Sequence, residues 1–117
     1  MRADCRPDEE LVNAVVATLE GSFDEAGAAT LWEAVAPHLE DPRNFLLIDL
    51  SGVRLITSAG VGVLVRLLHR VQSLGGAMTV FCAGSRVREV IGVVRLEEAL
   101  NLSASIEEAR RRLRAQQ

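Results

Sequence analysis

Thr57 and Ser58 stand where an extended passage gives way to a helical repeat, in the run Leu50-Ser51-Gly52-Val53-Arg54-Leu55-Ile56-Thr57-Ser58-Ala59-Gly60-Val61-Gly62. Either hydroxyl can be the N-cap of that helix, where a side-chain oxygen satisfies backbone N–H groups lacking an intrahelical partner and contributes about 1 kcal/mol. A cap alone accounts for a serine here. The neighbours point further, because Ala59, Gly60 and Gly62 leave the backbone of the first turn nearly bare and open to close approach by another protein. A phosphate on Ser58 would bring a charge of about −1.5 to −2, which the positive end of a helix tolerates and an acidic group on a docked protein does not.

Other chemistries fit this segment less well. It follows an extended run, as a nucleotide loop does, yet it lacks the GKS/T ending of a P-loop and the full GxGxxG spacing, so no cofactor is expected. The turn is not a GxSxG elbow and no histidine lies near it to act as base, so Ser58 and Asp49 do not read as parts of a hydrolytic triad. The chain is not read as an enzyme. His38 at a helix end and His69 on a polar helix face have no cysteine or acid at metal-ligand spacing, and no metal is expected. Asp49 reads as a satisfied strand-end carboxylate. Cys5 and Cys82 also lack metal-site spacing and are expected to be free thiols in a reducing compartment.

These residues need a core to hold them, and the composition supplies one. The 117 residues suit one domain, and 49% hydrophobic with 25% charged residues is a globular composition. Three Phe, one Trp and no Tyr make the core aliphatic and give no stacking platform for single-stranded nucleic acid. A net charge of −3 also argues against a nucleic-acid partner. The N-terminal residues have no apolar stretch after their basic positions and no run of about 18 apolar residues occurs, so a cytoplasmic protein without membrane insertion is expected.

Along the chain, residues 1–13 read as weakly structured or an edge strand, and Ala14 to Glu20 as a strand closed by Gly21. Ser22-Phe23-Asp24-Glu25 supplies capping residues for a helix to about Ala36 carrying Leu31, Trp32 and Val35, with Pro37 and Asp41-Pro42 ending it. Phe45 to Leu50 is a continuous apolar run, the pattern of a strand covered on both faces, and Ser51-Gly52 reads as a turn after it. From Ser58 the core-facing positions are Val61, Leu64, Val65, Leu68 and Val71, with Val63, Leu67 and Leu74 to one side. That side stripe packs on a neighbouring helix or forms a docking surface. Gly75-Gly76 stops the helix; Ala77 to Cys82 is a strand, Ser85 to about Val94 a short helix, and Ala99 to Leu102 a last short strand. Ser105-Ile106-Glu107-Glu108 is a capping box before Arg110, Arg111, Arg112 and Arg114, which read as a solvated face compensating the helix dipole. Strands alternating with helices imply right-handed crossovers, an α/β fold and a mixed, mostly parallel sheet of about four to five strands with about four helices.

Phe45 through Gly76, with Gly21-Ser22-Phe23-Asp24 before it, resembles the STAS domain, and within it the bacterial anti-sigma factor antagonists. In that family a strand ending in D/N-L leads through an apolar pair to D-S-S/T/A-G-L-G and a helix closing at G-G. The counterparts here are Asp49-Leu50, Leu55-Ile56, Thr57 to Gly62 and Gly75-Gly76, and the resemblance spans about Val15 to Leu113. It implies a phosphoacceptor at Ser58, or less favourably Thr57, a helix-start acid at Asp24, and Asp49 on the same rim. A partner would then meet Asp24, Asp49, Thr57, Ser58, Ala59, Gly60, Gly62, Val63 and Leu67. The implied partners are an anti-sigma factor that is also a serine kinase of the GHKL ATPase type and a PP2C-type phosphatase. Thr57 replaces the family's usual Asp, and Ala59 removes a second acceptor. Two alternatives within the family are an accessory subunit of an ABC-type lipid-transport complex and a subunit of a stressosome-like scaffold.

Overall fold

The Phe45–Ile56 strand, β3, sets the plan of the domain. In the computed structural model, which describes residues 1–40 and 44–116, β3 is flanked by parallel neighbours Ala14–Phe23 (β2) and Ala77–Phe81 (β4). Arg2–Pro7 (β1) runs antiparallel to β2 and completes a four-stranded sheet in the order β1-β2-β3-β4. The edge strand expected within residues 1–13 is β1. Side chains alternate across a strand, so Leu46, Ile48 and Leu50 enter one core while Phe45 and Leu47 enter another.

Helices cover both cores unequally. Glu25–Val35 (α1), Ser58–Ser73 (α2) and Ser85–Val93 (α3) bury Leu31, Val35, Leu64, Leu68, Val87 and Ile91 in the larger core. Among the described residues Ile106–Arg114 (α4) is the one helix on the other face, where Ala109 and Leu113 meet Leu11, Val16, Phe45, Leu47 and Phe81. A 3-10 turn, Ala36–Leu39, follows α1 with Pro37 in its first turn, as the missing proline N–H requires. The Asp41-Pro42 turn lies outside the described residues.

Several boundaries differ from the sequence reading. Strand β2 passes through Gly21, whose φ of 112° suits glycine, and ends at Phe23. Ser51-Gly52 is not a turn: β3 runs on to Ile56, and the irregularity is a register shift against Thr18 and Glu20. A Cβ on Gly52 would lie 2.6 Å from the Leu19 carbonyl oxygen, so glycine is what lets the strands pass closely there. Ala99 to Leu102 is not a strand. Asn101 has φ of 51°, and this stretch instead follows β4 through the bonds Val80 N–H to Leu100 O (3.0 Å) and Ser103 N–H to Val80 O (2.9 Å).

The arginines of α4 do more than compensate a dipole. Ser105 caps the helix as expected, accepting from the Glu108 N–H at 3.2 Å. Arg110, however, points inward, with its Nη2 2.9 Å from Asp8 Oδ1 and its side chain 12% exposed against 1% for Asp8. Arg114 reaches Glu10 at 3.3 Å and Arg112 reaches Glu108 at 3.2 Å.

Candidate partner-binding site

Because Phe23 and Ile56 are register partners in parallel strands, the chain leaves both strands side by side at one edge of the sheet. Each exit becomes a helix start. Asp24 is the N-cap of α1, its Oδ1 accepting from the Gly27 N–H at 3.0 Å. Thr57 is the N-cap of α2, but its hydroxyl donates to the Phe23 carbonyl at 3.4 Å instead of accepting from the helix. The Thr57 N–H donates to the same oxygen at 3.0 Å, so β2 and the start of α2 are tied at one atom.

Ser58 therefore occupies the first helical position, not the cap. It is exposed, and its hydroxyl has no hydrogen-bond partner among the described residues. The first turn of α2 contains no acid and receives no side-chain cap, so its partial positive charge faces outward unneutralised. Gly62, one turn along, is exposed with nothing within 4 Å of where a Cβ would stand. Ala59 is half-buried beside it.

The remaining expected site residues divide. Gly60 is buried, and a Cβ on it would lie 2.6 Å from the Phe23 oxygen and 2.8 Å from Ile56 Cγ1, so its lack of a side chain serves packing. Val63 and Leu67 are core residues, 3% and 0% exposed, and present no docking stripe. Helix α2 is covered by the sheet and by α1 together, so its buried face is wider than one stripe. Asp49 lies apart from this edge. It follows Phe45 and Leu47 on the α4 face of β3, and at about 3.3 Å per residue it is roughly 20 Å from Ile56. Its Oδ1 accepts from the Ser51 N–H at 2.9 Å, which supports the register shift.

Two residues the sequence reading did not single out shape the surface beside Ser58. Arg66 stacks over Trp32, its guanidinium carbon 4.3 Å from the ring centroid, and bridges α2 to α1. Above the small residues Ala28, Ala29, Ala59 and Gly62 this pair bounds a groove of ≈ 620 Å³ with Glu25 and Glu33 at its margin. The lone tryptophan and an arginine on the polar face of α2 were the available signals. Among the described residues no group of three or more His, Cys, Asp or Glu could hold a metal ion, and no helix is long and apolar enough to cross a membrane.

A helix start following each of two parallel strands, with a bare serine on the second, is the arrangement to set against known proteins. The STAS domain model matches residues 7–109. This chain belongs to the STAS domain family. A TM1081 homolog of Thermotoga neapolitana, classed by name among the anti-sigma factor antagonists, is 33% identical over 66 residues, which span 56% of this chain and 58% of that protein. An anti-sigma factor antagonist of Mycobacterium paratuberculosis superposes with a TM-score of 0.82 at 22% identity, covering 97% of this STAS chain and 93% of its own. The anti-sigma factor antagonist SpoIIAA in its unphosphorylated form gives 0.76 at 18% identity over 95% and 96% of the two chains. At those identities the two structures establish the STAS fold.

Proposed function

We propose that this STAS domain is an anti-sigma factor antagonist, a cytoplasmic, non-catalytic module that binds an anti-sigma factor and thereby releases a sigma factor. The anti-sigma factor is a serine kinase of the GHKL ATPase type that modifies Ser58, and a PP2C-type phosphatase restores the hydroxyl. The observation that carries this reading is the exposed, unbonded Ser58 at the uncapped start of α2, beside the open backbone at Gly62. Its hydroxyl is free to be both a contact and an acceptor. Thr57, by contrast, spends its hydroxyl on the Phe23 carbonyl, which favours Ser58 as the modified residue.

Electrostatics supplies the switch. A phosphate at the start of α2 meets the positive helix end within its own domain, so the fold survives modification. At about 6 Å from a carboxylate on the partner, with an effective dielectric near 20, each unit of charge costs about 3 kcal/mol. Affinity falls roughly a hundredfold. The contact surface is the Ser58 edge with Asp24, Ala59 and Gly62, continued into the groove beneath Arg66 and Trp32.

The test uses the GHKL-type serine kinases of the source organism, purified and assayed singly with ATP. One of them binds the unmodified chain and phosphorylates it, mass spectrometry places the phosphate on Ser58, and Ser58→Ala binds without being modified. A kinase that binds tightly yet leaves Ser58 unmodified would sink the switch.

A further inference from the structure

The two edges of the sheet are treated differently. Beyond β4 the chain returns alongside, with Val80 N–H to Leu100 O at 3.0 Å, Ser103 N–H to Val80 O at 2.9 Å and Cys82 N–H to Ser103 O at 3.1 Å, so that edge is occupied. Beyond β1 nothing pairs among the described residues. The phase of the β1–β2 ladder identifies the groups left over. The Asp8 N–H donates to the Ala14 oxygen at 2.8 Å, which continues the register from Pro7 opposite Val15 and makes Asp8 a hydrogen-bonded position. Bonded and unbonded positions alternate in an antiparallel pair, so Arg2, Asp4 and Arg6 aim their backbone groups at β2 while Ala3 and Cys5 turn theirs outward. Pro7 is the third outward position, where its missing N–H costs the ladder nothing. The pairing with β2 has no bulge to twist this edge away, and a regular open edge is a template for another strand.

We infer that β1 pairs antiparallel with β1 of a second copy of this chain, about a two-fold axis at Cys5, joining the two sheets into one. The inference is independent of what covers Ser58. Charge selects both the occupant and the register. Arg2, Asp4 and Arg6 are exposed, share the face opposite to Ala3 and Cys5, and alternate in sign. With Cys5 opposite its own copy, the two Cys5 residues exchange backbone bonds, each Ala3 N–H meets the Pro7 oxygen of the other copy, and each Asp4 lies across from an Arg6. Setting Ala3 opposite Cys5 instead puts Asp4 against Asp4 and Arg2 against Arg6, like charge on like. Setting Ala3 opposite its own copy also joins opposite charges, Asp4 with Arg2, but overlaps β1 over Arg2 to Asp4 alone, whereas the Cys5 register overlaps it from Ala3 to Pro7. Asp4 now contacts Arg2 at 3.4 Å with both side chains largely exposed, and Arg6 reaches Thr18 Oγ1 at 2.9 Å, so both charges stand on the open face.

Sedimentation velocity of the full chain in reducing buffer, up to millimolar concentration, is expected to show a monomer–dimer equilibrium. Asp4→Arg sets like charge opposite Arg6 twice and should weaken association about tenfold, while Asp4→Arg/Arg6→Asp reverses both partners and should restore it. A wild-type chain that stays monomeric overturns the inference. So does a dimer that Asp4→Arg leaves intact, or one that the reversed pair fails to restore. A second readout needs no variant: amide hydrogen exchange at Ala3 and Cys5 should slow as concentration rises, while that at Asp4, already bonded to β2, should not change. Unprotected Ala3 and Cys5 amides in a dimer overturn the inference. Protection that appears on adding the cognate kinase, and not with concentration, would assign the edge to that protein and overturn it as well.

Discussion

Asp8 and Arg110, 102 residues apart in the chain, form a forked ion pair in which Arg110 Nη2 and Nε reach the two carboxylate oxygens at 2.9 and 3.2 Å. The same carboxylate accepts from the Leu11 and Glu10 N–H groups at 2.8 and 3.1 Å, so it folds the β1–β2 connection and fastens it to α4 at once. Removing one partner breaks a nearly buried, charge-assisted bond and leaves Arg110 with its 3.4 Å bridge to Glu10, or Asp8 with its two amide donors, a change that costs about 1.5–3 kcal/mol. Asp8→Asn and Arg110→Ala should each show that loss in urea unfolding, and the double variant should lose less than their sum.

The pair also sets an acid limit. Burial pushes the Asp8 carboxyl upward, but the Arg110 hydrogen bond, the Leu11 and Glu10 amides and the Arg110 charge together hold it below the usual carboxylate range. A carboxyl depressed in the folded state stabilises above its unfolded value of about 3.9, and that contribution is lost as pH falls through the lower folded value. Wild type should therefore lose stability below about pH 4 more steeply than Asp8→Asn.

An alkaline limit follows from Cys5. Burial, only partly offset by the Arg6 charge, raises its thiol to about 11. The unfolded thiol ionises near 8.5, so the stabilisation is full below that value and disappears as pH rises towards the folded one. Cys5→Ser should flatten the stability profile between about pH 8.5 and 11, checked by thermal unfolding across that range.

The two glycines of the α2 start should respond oppositely to alanine. At Gly60 the added methyl meets the Phe23 oxygen at 2.6 Å, and the forced shift costs about 1–3 kcal/mol. At Gly62 it meets nothing, and alanine in an exposed helical position gains about 0.5–1 kcal/mol. Thermal melts of the two variants separate these outcomes.

Ser58→Asp should divide stability from binding. A carboxylate at the first position of α2 gains about 0.3–1 kcal/mol from the helix end, while the same charge weakens the kinase complex. A variant that melts higher and binds worse carries its defect at the interface; one that melts lower would attribute the binding loss to the fold.

Legibility in the sequence followed the range of each interaction. The uniform apolar run from Phe45 to Leu50 announced a central strand, and Asp24 announced the start of α1, because both are local patterns. That same uniformity hid which face Asp49 takes, since parity is readable only where polar and apolar residues alternate. Ser51-Gly52 has the composition of a turn, but β2 supplies hydrogen-bonding partners that keep the chain extended. Val63 and Leu67 read as packing on a neighbouring helix or docking a partner, and their burial on a helix covered by both the sheet and α1 matches the first alternative. The Asp8–Arg110 clasp and the Arg66–Trp32 stack join segments distant in sequence, and no local spacing encodes them.

The unequal covering of the sheet has a kinetic consequence. Among the described residues α4 is the one helix on its face, with Ala109 and Leu113 as its buried residues, whereas α1, α2 and α3 share a larger core across the sheet. Spontaneous opening should begin where the least apolar contact must be broken, so native-state hydrogen exchange should release the amides of α4 before those of β3 and α2. Ser58 is thus mounted on the more thickly covered side of the sheet, opposite the face where opening is expected to begin.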